Sequence, residues 1–318
     1  MRTRIVFAFS GQGSQYFQMG RSLYERNMSF KRSMDRLDAV ATDLSGNSIV
    51  RTLYGDRSKS EPFDELSLSH PAIYMVEMSL AQALIDAGIV PDLLLGSSLG
   101  SLAAAAVSGC IQPEDGVSLA IAQAEAIQSH CAPGRMIAIL ANSALHRAET
   151  MLRQHSVIAA YNFANHFVVA APRKASEAIE DMLLVRGHVH QCLPVTYAFH
   201  SPWMEQARPS YLAASKAVKF DRAQIPLACC ASADIVNTLA PDYFWNVTHL
   251  PILFSQTIEL LESHGPYLYV DLGPSGTVAT FLKYLLPPHS SSRMQTVMTP
   301  MGRDVENFNT TIATVRSL

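Results

Sequence analysis

The chain has 318 residues, 48% of them hydrophobic and 16% charged, with a formal net charge of −3. That length and apolar content supply one large core or two unequal ones. The near balance of charge leaves no basic surplus for nucleic acid or for an anionic membrane surface. Five cysteines, Cys110, Cys131, Cys192, Cys229 and Cys230, show no CxxC or Cys/His metal spacing, and their odd number argues against a disulfide framework, so they read as buried thiols in a reducing compartment. The apolar stretch after Arg2 and Arg4 is too short for a signal peptide and runs into glycine, and no segment is long enough to span a bilayer. A cytoplasmic protein is expected.

Short apolar runs alternate with amphipathic stretches, the pattern of parallel strands buried beneath helices. The first predicted strand is Ile5 to Phe9. A helix is predicted from about Pro71 to Ala87, closing at Gly88, and leads into a strand over Pro91 to Leu95. From about Gly134 to Val195 the pattern changes. It predicts a strand at Arg135 to Leu140, a helix at Ser143 to His155, strands at Val157 to Tyr161 and His166 to Ala171, a helix at Lys174 to Arg186 and a strand at His188 to Leu193. That order, βαββαβ, is the ferredoxin-like unit. It divides the chain into a large α/β domain with a parallel sheet, residues 1–132 and 196–318, and an inserted small domain, residues 133–195. A last strand, Tyr267 to Leu272, ends at Gly273-Pro274, and with the two early strands it carries loops to one edge of the large sheet, where α/β proteins place ligands.

At one such edge stands Gly96-Ser97-Ser98-Leu99-Gly100, between an apolar strand and the small-residue stretch Ser101 to Ala106. The glycines of a Gly-x-Ser-x-Gly turn permit a sharp strand-to-helix bend. The serine hydroxyl is presented at the tip, and the next N–H points to where an oxyanion would form. A helix N-terminus adds partial positive charge there. By itself the pattern is also what a chance glycine-rich turn looks like. Ser10-Gly11-Gln12-Gly13-Ser14-Gln15 follows the first strand directly and taken alone reads equally as a solvent turn. His200, in Tyr197-Ala198-Phe199-His200-Ser201, sits in apolar company that more often signals a core histidine than a base.

Together these segments resemble the malonyl-CoA:acyl-carrier-protein transacylase family, which includes the acyltransferase components of fatty acid and polyketide synthases. Gly11 to Gln15 matches its GQGSQ, Gly96 to Gly100 its GHSLG, and Ala198-Phe199-His200-Ser201 its histidine motif. Asp271-Leu272-Gly273-Pro274-Ser275-Gly276 is similar to its E-x-GPG turn. The resemblance covers nearly the whole chain and implies a hydrolase-like α/β domain with a ferredoxin-like insertion, in agreement with the reading above. It implies that Ser98 attacks a thioester, with His200 as proton carrier and the backbone N–H groups of Gln12 and Leu99 as oxyanion hole. It implies that a backbone carbonyl from Leu250-Pro251-Ile252-Leu253-Phe254, assigned to Leu253, orients the histidine in place of an acid. Asn162, in Tyr161-Asn162-Phe163, falls on an asparagine-bearing active-site strand, although the residues after it are shortened. No metal and no cofactor is implied. The acyl group arrives on the phosphopantetheine of an acyl carrier protein or on CoA, and a monomer is the family default.

Three positions depart from the family. Members that use malonyl groups hold the free carboxylate with an arginine on the helix after the nucleophile, where this chain has Gln123, and there is no lysine or arginine between Lys59 and Arg135. An unpaired buried carboxylate costs ~3–5 kcal/mol, a penalty a neutral acyl group escapes. An arginine from elsewhere, such as Arg135, is the alternative. Ser97 and Ser101 stand where histidine and glutamate are usual, and they alter the pocket without removing the nucleophile; Phe199 keeps a bulky specificity position. These features resemble the subset that hydrolyses short neutral acyl groups from the carrier proteins of polyketide synthases, an editing role. The alternatives are a transferase that loads a neutral starter such as acetyl and, more distantly, a carrier-docking homologue without activity.

Overall fold

Residues 3–318 are described by a computed structural model; Met1 and Arg2, part of the basic start, lie outside the described residues. The strands in chain order are β1 (Arg4–Phe9), β2 (Leu93–Gly96), β3 (Gly134–Ile139), β4 (Val157–Phe163), β5 (His166–Pro172), β6 (His190–Cys192), β7 (Leu227–Cys229), β8 (Asp234–Val236), β9 (Tyr267–Asp271) and β10 (Arg293–Thr296). A six-stranded sheet has the order β10-β9-β1-β2-β7-β8. It is parallel throughout except for β8, which pairs antiparallel with β7 at the edge. β1, β2 and β9 are the predicted strands, and they lie side by side with their C-terminal ends at one edge. Helices cover both faces, so Val6 to Phe9 are fully buried and read as a continuous apolar run without alternation.

The second sheet is antiparallel in the order β4-β5-β3-β6, the arrangement that βαββαβ connectivity produces. Here the strands do alternate. Ile137, Ile139, Phe167 and Val169 pack under Leu152, Ile179 and Leu183 of the small domain's own helices, while Met136, Ala138, Ala160 and Val168 face the opposite way, into the main core. One face of the small sheet thus closes its own core and the other is given to the large domain.

Four elements differ from the sequence expectation. The helix predicted from Pro71 runs Leu66–Asp86, so the proline is interior rather than at the start. The turn ahead of it is held by the Glu65 carbonyl, which accepts from Leu68 and Ser69, and by burial of Leu66, which offsets the one hydrogen bond a proline forfeits. The helix predicted over Ser143 to His155 is two, Ala144–Ala148 and Thr150–His155, because Glu149 is extended (φ −86°, ψ 116°) and ends one while starting the other. The last small-domain strand is shorter than predicted, and β4 continues to Phe163.

The large sheet is locked to its first functional loops by backbone contact. A Cβ on Gly100, at the start of the helix Gly100–Val107, would lie 2.5 Å from the Phe9 carbonyl oxygen and 2.4 Å from that of Ser10. Neither neighbour is a side chain that can swing away. Gly100→Ala is therefore expected to destabilise the protein by about 2 kcal/mol or more, measured by urea denaturation; an unchanged midpoint would mean that the two loops are not in the contact described.

Candidate active site

Ser98 occupies the left-handed region with φ 54°, a conformation that costs a non-glycine residue of order 1–2 kcal/mol and is held by its surroundings. A Cβ on Gly96 would come within 2.6 Å of Ser101 Cα, and the Ser97 N–H donates to the Phe9 carbonyl at 3.0 Å. Strand, turn and helix are thereby packed so tightly that the serine is lifted to the tip of the bend. Its Oγ lies 2.8 Å from His200 Nε2.

His200 is also left-handed, with φ 57°, and its backbone N–H donates to the Thr248 carbonyl at 3.1 Å. Its Nδ1 is 2.8 Å from the Leu250 carbonyl oxygen. A carbonyl only accepts, so Nδ1 carries the ring hydrogen and Nε2 is left to accept from the Ser98 hydroxyl. The orienting carbonyl is therefore that of Leu250 and not that of Leu253, to which the sequence reading assigned it. The Leu253 carbonyl accepts from the N–H and the hydroxyl of Thr257 in the first turn of Phe254–Glu262 and has no freedom to reach the ring. Leu250 follows the helix Tyr243–His249 in extended conformation and precedes Pro251, so its carbonyl leaves the helix and turns toward His200. Burial pushes the His200 imidazole down to about 4, partly opposed by the Leu250 hydrogen bond.

The backbone N–H groups of Gln12 and Leu99 have no hydrogen-bond partner among the described residues. Their loops touch at Gly11, where a Cβ would lie 2.8 Å from Ser98 Cβ and 3.4 Å from the Leu99 nitrogen. The loop is held from below. Glu77 is wholly buried, and its Oε1 accepts from the Ser10 N–H at 2.7 Å and the Ser10 hydroxyl at 3.0 Å. Gln15 accepts from the Gly13 N–H, and the Gln12 side chain donates to Ser69. Asp271, also buried, accepts from the N–H groups of Gly273 and Ala279, and so fixes the turn and the start of the helix Thr277–Leu285; burial pushes its carboxyl up to about 6.

These groups open on a cleft of about 280 Å³ between the two sheets, lined by the Ser10 to Ser14 loop, Ser97, Ser98, His200 and Phe199 on one side and by Asn162, Ala138, Val168 and other small-sheet residues on the other. Ser97, Phe199 and Asn162 thus lie where the sequence reading put them. Gln123 does not line this cleft. It is buried on the helix Pro113–His130, and its Nε2 donates to the Thr248 hydroxyl at 2.6 Å, beneath the residue whose carbonyl holds the His200 backbone. Arg135 is engaged with Glu180 at 3.1 Å and is absent from the cleft. No lysine or arginine is among the lining residues. His166, Thr277 and Phe281 line the cleft and were not singled out in the sequence. His166 opens a strand in alternation with Val168, which could have marked it; nothing in the sequence marks the other two. No group of three or more His, Cys, Asp or Glu that could hold a metal occurs among the described residues, and no helix there is long and apolar enough to cross a membrane.

A strained serine on a strand-to-helix turn, a neutral buried histidine and two free N–H groups beside a cleft define a nucleophilic acyl-transfer class of site. The family model for the acyl transferase domain matches residues 6–317, and the chain belongs to that family. It is 40% identical over 307 residues to the polyketide biosynthesis acyltransferase homolog BaeD of Bacillus velezensis, covering 96% of this chain and 94% of that one. It is 39% identical over 311 residues to the corresponding PksD of Bacillus subtilis, covering 98% and 96%. Among solved structures, the acyltransferase domain from the second module of the salinomycin polyketide synthase is 26% identical with a TM-score of 0.86, covering 98% of this chain and 72% of that one.

The burial of His200 has a measurable consequence. An unfolded chain takes up a proton on this ring near its ordinary value of 6.5, whereas the folded protein declines it until about 4. The group therefore leaves stability unchanged above pH 6.5 and lowers it progressively as pH falls from 6.5 towards 4. Ring-nitrogen NMR of labelled histidine should show His200 as the Nδ1–H tautomer, still neutral at pH 5.5; a midpoint near 6.5 would contradict the burial.

Proposed function

We propose that this chain is an acyltransferase of polyketide biosynthesis that takes a short neutral acyl group from a thioester onto Ser98 and passes it to the thiol of an acyl carrier protein. One observation carries the reading: the Ser98–His200–Leu250 chain of hydrogen bonds opens on a cleft that holds no cation. His200 Nε2 accepts the Ser98 proton as Oγ attacks the thioester carbonyl, and the N–H groups of Gln12 and Leu99 receive the oxyanion. The intermediate collapses by breaking the carbon–sulfur bond. His200 gives the proton to the departing thiol, and the acyl group stays on Ser98. A second thiol then attacks, loses its proton to the same nitrogen, and leaves with the acyl group while Ser98 recovers its hydrogen. Deprotonated histidine is needed at the start, and its low pKa keeps it available well below neutral pH.

Transfer is preferred here to release into water, which the sequence reading put first, because the relatives to which the chain is similar are acyltransferase homologs and the solved structure is an acyltransferase domain. The missing arginine bears on which acyl group is taken, and that inference is independent of where the group goes next. A malonyl carboxylate in this cleft would have no cation to meet. The partner is a carrier protein of a polyketide synthase or an acyl-CoA, and we place the reaction in the reducing cytoplasm, in keeping with five free thiols.

Intact-mass measurements with acetyl-, butyryl- and malonyl-loaded carrier protein test this directly. Acetyl and butyryl groups should appear on Ser98 about 100-fold faster than malonyl, Ser98→Ala should abolish all labelling, and the labelled enzyme should discharge to a second carrier faster than to water. Rapid loss to water, with a second carrier making no difference, would return the reading to hydrolysis; equal malonyl labelling would overturn the specificity argument.

A further inference from the structure

A second imidazole lies in the cleft and is not used by the steps above. His166 begins β5 and lines the cleft that Ser98 and His200 share. Its Nδ1 is 2.9 Å from Asn162 Nδ2. An amide nitrogen only donates, so Nδ1 accepts and the neutral ring carries its hydrogen on Nε2. The ring is stacked on Phe163 (centroids 4.9 Å apart, planes at 19°) and tilted against Phe281 (5.5 Å, 42°), contacts that fix its plane, while the Asn162 hydrogen bond fixes which way round it stands. Nε2 has no hydrogen-bond partner among the described residues, and it is not one of the atoms sealed from solvent without a partner. The result is an N–H donor fixed in tautomer and in angle, and open to the cleft.

The stack also has a direction. From His166 it passes to Phe163 and from Phe163 to Tyr284 (4.6 Å, 14°), whose side chain is 67% exposed. Phe163 and His166 belong to the small sheet and Phe281 and Tyr284 to the helix Thr277–Leu285, so the ladder follows the seam between the domains from the cleft wall to the surface. An acyl thioester bound with its carbonyl at Ser98 must lead its thiol arm out of the cleft along such a seam. In CoA and in carrier proteins that arm is pantetheine, whose amide carbonyls accept hydrogen bonds and are separated by apolar methylene segments. A ladder of aromatic faces with one N–H donor at its inner end is complementary to that alternation.

We propose that this ladder is the track of the pantetheine arm, with His166 Nε2–H donating to an amide carbonyl of the arm and Phe163 and Tyr284 covering its methylenes. His166 acts on the arm and not on the acyl carbonyl, so its loss weakens binding and leaves the chemical step intact. The inference rests on the thioester reading of the site made above.

Two acyl donors separate the possibilities: S-acetyl-pantetheine, which has the arm, and p-nitrophenyl acetate, which lacks it. His166→Phe keeps the stack and removes the donor, and it should raise KM for acetyl-pantetheine about tenfold with kcat unchanged. Acylation of Ser98 by p-nitrophenyl acetate should stay at the wild-type rate. Tyr284→Ala, at an exposed position where folding is not at stake, should raise the same KM several-fold and likewise spare the ester. The proposal is overturned if both variants leave the KM for acetyl-pantetheine unchanged. It is equally overturned if the ester reaction falls in parallel, which would place His166 in the handling of Ser98 itself. If the wild-type enzyme is acylated by the ester and never by the thioester, the functional reading fails and the track fails with it; acylation by both, with no effect of the variants, fells the track alone.

Discussion

The constraint on which the site depends is the absence of any side chain between the first loop and the nucleophile turn. β1 and β2 are adjacent and parallel, so the chain leaving each of them must turn in the same small volume. Gly11 and Gly100 each stand where a Cβ would fall within 3 Å of the other segment, Gly96 stands as close to Ser101 within the turn itself, and for Gly96 and Gly100 the nearest atoms are backbone. Close approach here sets the loop that carries Gln12 against the turn that carries Leu99. Two loops some ninety positions apart in sequence thus become one rigid feature, the preorganisation that the oxyanion hole proposed above would require, since donors that had to move into place would lose most of their effect.

That junction also explains two buried carboxyl groups that do no chemistry themselves. Glu77 grips Ser10 by both its N–H and its hydroxyl, and burial raises its pKa well above the usual carboxylate value. Asp271 performs the same service for the turn at Gly273, which itself presses on Ser10 so closely that a Cβ there would meet the Ser10 hydroxyl at 2.3 Å. The loop is therefore clamped from two directions. Neither acid reaches His200, whose orientation is given by a backbone carbonyl, so the site holds no fixed negative charge beside its proton carrier.

The fold was legible in the sequence because it rests on local rules, and Ser98 was marked by its glycine spacing, whereas His200 was singled out only by the resemblance to a family. Apolar runs of strand length, the alternation within the small sheet and the glycine spacing around Ser98 all express contacts with near neighbours in the chain. What was not legible depends on distant contacts. Pro71 reads as a helix start and is interior, because burial of Leu66 and the hydrogen bonds to the Glu65 carbonyl decide the matter. The carbonyl that orients His200 could be narrowed to a five-residue segment, but the choice of Leu250 over Leu253 turns on which helix claims each carbonyl, and that is settled only when Thr257 has taken one of them. His166 could have been marked by its alternation with Val168 on a predicted strand, but which face of that strand meets the cleft is settled only by the pairing of the small sheet.

Gln123 shows how a position can be informative for a reason other than the one first assigned. The sequence reading treated it as a pocket residue facing the acyl group. In the structure it lies one layer below, joined to Thr248, whose own carbonyl fixes the His200 backbone. Its place in the fold is structural, and the specificity proposed above rests instead on the cleft lining, which includes no lysine or arginine. An uncharged amide can be absorbed by a neighbouring hydroxyl at little cost, whereas a guanidinium in the same buried place would have to find an anion. The neutral floor and the neutral His200 are in this sense one design: no lysine, arginine or carboxylate lines the cleft, so in the mechanism proposed above charge forms there only as the reaction proceeds.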